Sequence, residues 1–319
     1  MNRIQGALAL SHHRSRSTNR FPARLAAALA LSLLGVLTFA SGASADLWSP
    51  ESGGSPNADS IDSLYWFVMV IAIIIFVGVE GLLFYTLYKF RASKGAVPRQ
   101  VRGNNKLEMG WTVGAALMVL FLGIYTYSKL DEITNPPESI AKGVEPDALP
   151  LDQTGRMNIC VDGFQFGWRY IYQQDECTNK HNTDKTAQRN PGPEDTLYAF
   201  EEMVVPVGVT VRLWISSLDV NHAWWIPKLG GKLDATRGYV VDTWFRIPEK
   251  FADKPGGTVF FGQCAELCGR NHANMTARVR AVSIQEFNTW ARQQRADIKA
   301  GDASIPELAK KLKVTQSEN

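Results

Sequence analysis

The sequence predicts a membrane-anchored all-β protein: a transmembrane two-helix hairpin followed by an all-β sandwich outside the membrane. Two long apolar runs flanking a basic loop predict the hairpin, and short alternating segments after residue 130 predict the sandwich. A third observation, soft donor side chains crowded between two of those segments, points to a metal centre. Composition agrees: 319 residues with 45% hydrophobic and 20% charged exclude a disordered chain, and four cysteines are too few for a disulfide-stapled scaffold. Residues 1–45 hold five arginines and no acid, so the formal charge of +3 becomes −2 without them. Neutralising a phosphate backbone needs a basic surface, so no nucleic-acid partner is expected.

The elements follow in chain order. Arg14, Arg16, Arg20 and Arg24 precede the apolar stretch Leu25–Ala40, and Ala43-Ser44-Ala45 follows it. Basic region, apolar region and small-residue site together make a secretory signal peptide over residues 1–45, cleaved after Ala45. An uncleaved signal anchor is the alternative, and both leave 46–63 as an exterior segment. His12 and His13 then belong to no site.

Leu64–Leu87 carries one charge, Glu80, and Met109–Ser128 carries none. Each exceeds the roughly 18–20 apolar residues that cross a hydrocarbon layer. Between them lie Lys89, Arg91, Lys94, Arg99, Arg102 and Lys106, a loop that stays cytoplasmic. The hairpin over 64–130 therefore runs out–in–out. Trp66, Trp111, Tyr125 and Tyr127 suit the interfacial belts. Glu80 is costly in lipid and is expected to pair with a neighbouring subunit. Glu108 opens the second helix, where an acid favours the N-terminal dipole.

A connector containing Pro136, Pro137, Pro146 and Pro150 begins the exterior domain, residues 131–283. Met157–Cys160 and Gln165–Tyr172 read as a strand pair, and Val204–Ser216, Thr258–Phe261 and Thr276–Ser283 as further strands. In the last, Ala277, Val279 and Ala281 alternate with Arg278 and Arg280. Short period-2 runs between turn signals predict an antiparallel sandwich. Polar residues 173–202 read as an insert, and 284–319 as a helix around Phe287–Ile298 with a polar tail. Cys160 and Cys177, at either end of the first strand pair and outside the membrane, are expected to form a disulfide; two separately buried thiols are the alternative.

The densest chemistry is a loop between two strands bearing Cys264, Cys268, His272 and Met275, with His222 on a second loop. Thiolate, imidazole and thioether together suit copper better than zinc, whose structural sites do not use methionine. A blue-copper site has one cysteine, so this loop has one too many. Two thiolates can instead bridge two copper ions, each capped by one histidine. Met275 would be the weak axial donor to one, and the backbone carbonyl of Glu266 would serve the other. Two cuprous ions and two thiolates sum to zero, and a single lost electron shared over both metals moves the ligands little. The competing reading joins Cys264 to Cys268 in a disulfide, with Met275 in the core; a second histidine on a separate loop weighs against it.

On these residues the chain resembles subunit II of the haem–copper cytochrome c oxidases. Cys264-x-Glu266-x-Cys268-x-x-x-His272-x-x-Met275 is similar to the family's binuclear CuA loop, and Asp219-Val220-x-His222 to the segment supplying its first histidine. Leu107-Glu108-x-x-Trp111-Thr112 is similar to the start of its second helix. The resemblance implies a cupredoxin-like Greek-key sandwich and a multi-pass protein of a bacterial plasma membrane, with its C-terminal domain on the periplasmic side. It implies that CuA takes electrons from cytochrome c and passes them to haem in subunit I, where oxygen is reduced to water and protons are pumped. It implies further a magnesium ion on the Glu266 side chain, shared with subunit I, and a proton-channel mouth at Glu108, for which a helix cap is the alternative. Other oxidase subunits are implied as partners, and Asp219 and Asp234 as acidic docking groups for the donor. Where the family has an electron-entry tryptophan this chain has Phe166, with Trp168 two residues on; both rings are expected on one strand face near the donor, or both in the core. Lys232-x-Asp234 leads to Arg237-Gly238-Tyr239 instead of the common arginine. No Cys-x-x-Cys-His occurs, so no fused c-type haem is expected. Two other functions compete: the CuA subunit of a nitric-oxide-reducing complex, and a copper-delivery or thiol-exchange module.

Overall fold

The computed structural model of the protein describes residues 49–91, 102–175 and 196–317, with Gly95, Val97, Gln100 and Cys177 between them. The signal peptide, part of the basic loop and the centre of the 173–202 insert lie outside the described residues. The chain divides into Met1–Leu47 and Trp48–Asn319, and every element below belongs to the second unit.

Helix α1 spans Pro56–Lys89 and α2 spans Asn105–Thr134. Pro56 sits at the first helical position, where its missing N–H costs nothing, so α1 begins well before the apolar run. At the start of α2 the Asn104 side chain accepts from Leu107 N (3.3 Å) while its own N–H donates to Glu108 Oε1 (3.1 Å). Glu108 therefore does act as part of a helix cap. Phe67 stacks on Tyr125 (centroids 3.9 Å) and approaches Phe121 (5.7 Å), which brings the helices together. Their apolar stretches are otherwise exposed, as a face meant for lipid or neighbouring subunits must be.

The exterior domain is a cupredoxin-like sandwich. One sheet orders β3 (Leu197–Phe200), β2 (Gly167–Gln173), β1 (Met157–Phe164), β5 (Thr210–Ser217) and β8 (Val241–Arg246). The other orders β4 (Glu202–Pro206), β10 (Thr276–Val282) and β9 (Thr258–Gln263). Short strands β6 (His222–Trp224) and β7 (Leu233–Ala235) pair with each other. Alternate residues of the two sheets meet in the core: Ile159, Val161, Leu213 and Ile215 from one, Met203, Ala277, Val279 and Ala281 from the other, all fully buried.

The expectation of an antiparallel sandwich is met at most strand pairs and corrected at two. β1 runs parallel to β5 (Ile159↔Leu213) and β10 parallel to β4 (Val279↔Met203). The chain crosses to the other sheet and back between them, a long connection that permits parallel neighbours. The single expected strand Val204–Ser216 is also two. It breaks at Gly208, whose positive φ of 74° turns its carbonyl to Ile140 N and Ala141 N (3.0 Å each).

Cys160 and Cys177 form the expected disulfide, on the sheet face away from the main core beside Ile171. Helix α3 (Ile284–Ser317) is longer than the run around Phe287–Ile298 and packs Phe287 and Ala291 into the sandwich, with Trp290 against Tyr172 (centroids 5.4 Å).

Candidate metal centre

The ligand loop, residues 264–275, joins two adjacent antiparallel strands. Its neck is closed by the Gln263↔Thr276 pair and by Cys264 N donating to Met275 O (2.9 Å). Ala265 N donates to Ala223 O (2.9 Å) and Gln263 N to Trp225 O (3.1 Å), which ties this loop to the strand carrying His222. A short 3-10 turn at His272–Asn274 returns the chain, with Met275 N donating to His272 O (3.1 Å). Two loops far apart in sequence are thus registered by backbone bonds.

The donors converge. The two sulfurs, Cys264 Sγ and Cys268 Sγ, are 3.9 Å apart. His222 Nδ1 lies 3.8 Å from Cys264 Sγ, and His272 Nδ1 lies 3.6 Å from Cys268 Sγ. Met275 Sδ is 3.8 Å from Cys268 Sγ, and the carbonyl oxygen of Glu266 is 3.2 Å from Cys264 Sγ. His222, Cys264, Cys268 and Met275 are buried, and His272 is half-buried. The ligand atoms of His222, Cys264 and Cys268 all fall within 4.8 Å of one another, the spacing a bound metal needs.

Protonation follows from this crowding. Burial pushes the Cys264 thiol up, but the His222 ring and the backbone at Glu266 and Ala223 outweigh it and bring it down to about 6. Cys268 moves the other way, up to about 11, through burial and then the charge on Cys264. Two bare thiolates this close repel, and only a cation between them lets both ionise. Burial works to lower His222, yet Cys264 and Asp219 hold it above its ordinary value.

Asp219 was missed as a site residue except for docking, and it carries another duty. Its Oδ1 lies 2.9 Å from His222 Nε2, and its Oδ2 accepts from Gln165 N (2.7 Å). A carboxylate on one ring nitrogen leaves the other free to ligate and fixes the ring plane. Burial would raise Asp219, but His222 and the N–H groups of Gln165 and Val220 hold it below the usual carboxylate range. The only sequence signal was an acid three positions before a histidine. Asp234 is exposed on β7, among the exposed bases Lys232 and Arg237.

The shared strand face expected for Phe166 and Trp168 is corrected. Phe166 lies in the turn between β1 and β2, half-buried, with its ring above Gly269 of the ligand loop. Trp168 is on β2, fully buried, edge-on to His222 (centroids 5.9 Å). A turn breaks the two-residue alternation, so one ring faces out and the other in. Glu266 is exposed, and so is Leu267 beside it. Glu108 stands at the opposite end of α2 from the sandwich, roughly 40 Å along the helix at 1.5 Å per residue.

With this geometry in hand, the comparisons with known proteins decide the family. Residues 157–282 match the family described as "Cytochrome C oxidase subunit II, periplasmic domain", and residues 47–128 match its "transmembrane domain". The cytochrome c oxidase subunit 2 of Cereibacter sphaeroides is 30% identical over 271 residues, covering 77% of this chain and 82% of that one. The chain belongs to the cytochrome c oxidase subunit II family. A probable subunit 2 from Rickettsia bellii (strain RML369-C) is 29% identical over 267 residues, covering 82% and 90% of the two chains. A crystal structure of the periplasmic domain of oxidase subunit II from Bradyrhizobium japonicum is 27% identical, with a TM-score of 0.35, covering 44% of this chain and 95% of that one.

Family membership makes this a membrane protein with a C-terminal periplasmic domain, part of an oxidase complex and associated with its other subunits. It also implies copper of the CuA type. The donors fit: two buried thiols at bridging distance, an imidazole at each end, and a thioether and a carbonyl beside them.

Proposed function

We propose that this protein is the electron-entry subunit of a respiratory cytochrome c oxidase in a bacterial plasma membrane. A CuA centre held by His222, Cys264, Glu266, Cys268, His272 and Met275 would take electrons from cytochrome c and deliver them to haem in subunit I. There oxygen is reduced to water, coupled to proton pumping. The observation that carries this reading is the paired arrangement of soft donors, with one imidazole Nδ1 on each side of two sulfurs 3.9 Å apart. When bound, two copper ions would supply a one-electron couple whose charge is spread over both metals.

The chain's own residues prepare that chemistry. Asp219 holds the His222 ring by Nε2 and leaves Nδ1 toward the sulfurs. Strand pairing at the loop neck and the Ala265–Ala223 bond limit ligand movement between oxidation states. Burial of Cys264, Cys268 and Met275 excludes water that would otherwise compete for the metals. The exposed Glu266 carboxylate, on the residue whose carbonyl faces Cys264, would reach a magnesium ion shared with subunit I. Phe166 above the ligand loop is the proposed point of electron entry, and Glu108 at the cytoplasmic end the proposed proton-channel mouth. Residues 1–45 would be the signal that exports the domain.

Loading the purified full chain with copper tests this. Two coppers per chain and an EPR signal delocalised over both are expected, followed by reduction by soluble ferrocytochrome c. A protein that takes up only one copper, or holds it without that delocalised signal, would rule the reading out.

A further inference from the structure

The turn between β1 and β2 touches both ligand-bearing loops through one residue. The backbone N–H of Gln165 donates to Asp219 Oδ2 (2.7 Å), and the other oxygen of that carboxylate holds His222 Nε2 (2.9 Å). The side-chain Nε2 of Gln165 donates to the carbonyl of Cys268 (2.6 Å), 103 positions away. Beside it, Gly269 has a φ of 133°, and a Cβ built there would stand 3.0 Å from Gln165 Nε2 and 3.2 Å from the Phe166 ring. The turn is therefore packed down on the cysteine loop at the point where that loop has no strand partner.

The two cysteines are not equally secured. Cys264 is next to the last residue of β9 and its N–H is bonded to Met275 O (2.9 Å), so the sheet itself positions it. Cys268 lies four residues further out and is followed by a glycine in a conformation that side chains disfavour. Its carbonyl is held by the Gln165 amide rather than by a ladder. Resting on the copper reading above, we propose that Gln165 is a positioning residue of the centre. It clasps the Cys268 peptide while its own backbone steadies the Asp219–His222 pair, and so keeps the two loops at bridging distance. It touches no ligand atom, and it sits next to Phe166, so the clasp also sets where that ring lies over the site.

Gln165 itself is exposed, so replacing it need not disturb the sandwich. The test uses the copper-loaded full chain with Gln165→Met, which keeps the length and removes the donor, and Gln165→Glu, which keeps the shape and turns the donor into an acceptor. Gln293→Met, on the exposed face of α3, is the control. Copper content, the EPR hyperfine pattern, the reduction potential and the rate of copper release to a chelator are measured. Both Gln165 variants are expected to load two coppers, to show an altered hyperfine pattern, and to release copper roughly 10-fold faster, the scale typical of a lost partner behind a metal ligand. The control should match the wild type in every readout. Wild-type release and hyperfine pattern in both variants would overturn the proposal. So would loss of the folded domain in both, since a positioning role leaves the fold intact. A wild-type chain that loads no copper pair would instead fail the functional reading first.

Discussion

The side-chain amide of Asn57 donates to the carbonyl of Trp244 (2.6 Å), joining the first turn of α1 to β8 across 187 positions. Ser55 Oγ accepts from Arg246 N (3.1 Å) and donates to Asn57 Oδ1 (2.9 Å). Trp244 Nε1 in turn donates to Ile133 O (2.9 Å) near the end of α2. β8 is the edge of its sheet, and Ser55 and Asn57 meet its open carbonyl and N–H as a further strand would. Both are only 1% exposed, so the edge is sealed and the hairpin is bolted to the sandwich at one stroke.

Asn57→Leu should therefore destabilise the junction. It leaves a buried carbonyl without a donor, a cost of about 1–3 kcal/mol. The expected result is a lower unfolding midpoint in detergent with the copper spectrum unchanged, because the lock lies away from the ligands. An unaltered midpoint would show that the edge finds another partner.

The ligands should separate by donor strength. Cys264→Ser and Cys268→Ser are each expected to abolish the two-copper spectrum, because a hydroxyl is too hard and too weakly acidic to bridge. Met275→Leu keeps the buried volume and removes only a weak axial donor, so two coppers should stay bound with a shifted reduction potential. A full two-copper EPR signal in Cys268→Ser would be incompatible with bridging thiolates.

Cys160–Cys177 closes a loop of 17 positions. Replacing both with Ala should cost on the order of 3 kcal/mol on the chain-entropy account. Denaturant midpoints measure the loss. Thiol labelling of the unfolded, unreduced, copper-free protein provides an independent count: the free cysteines Cys264 and Cys268 should react, and labelling of all four would show that the bridge does not form.

The sequence carries some of these features openly and hides others for physical reasons. The hairpin is legible because the bilayer demands long apolar runs and a basic loop. The soft donors are legible because their spacing sits within one loop. Parallel pairing of β1 with β5 is not, since a period of two reports which face is buried and nothing about the neighbour's direction. β6 and β7, three residues each, are too short to show any period. Gln165 looks like an ordinary loop residue because its partners lie 54 and 103 positions away, and Asp219 does because an acid three positions before a histidine is common in any loop. The cap at the start of α3 went unread although it is local: Ser283-Ile284-Gln285-Glu286 is a capping box, with Glu286 N donating to Ser283 Oγ (3.2 Å) and Ser283 N to Glu286 Oε2 (3.1 Å).

That cap sets a pH dependence. Hydrogen bonds from Ser283, backbone first, hold the Glu286 carboxyl below its ordinary 4.5. A depressed carboxyl contributes stability that is present above pH 4.5 and is lost as pH falls through its folded value. Glu286→Gln should lower stability at neutral pH and lose less of it on acidification than the wild type. Parallel acid-unfolding curves for the two proteins would mean the carboxylate does not contribute.

Phe166 and Trp168 should part in their effects because the turn sends them to opposite sides. Trp168 is fully buried beside His222, and its indole N–H meets no acceptor among the described residues. Trp168→Ala opens a large cavity and should cost about 3–5 kcal/mol, whereas Trp168→Phe fills most of that space and removes the unpaired donor, so it should be much milder. Phe166 instead lies half-exposed above Gly269, between the solvent and the ligand loop. Phe166→Ala should leave copper content, spectrum and unfolding midpoint close to wild type, while slowing reduction of the centre by soluble ferrocytochrome c. Stopped-flow reduction at several ionic strengths separates a lost contact, which slows entry at every salt, from altered steering, which fades with salt. If Phe166→Ala lowers the midpoint and leaves the reduction rate untouched, the ring is part of the core and electrons enter elsewhere.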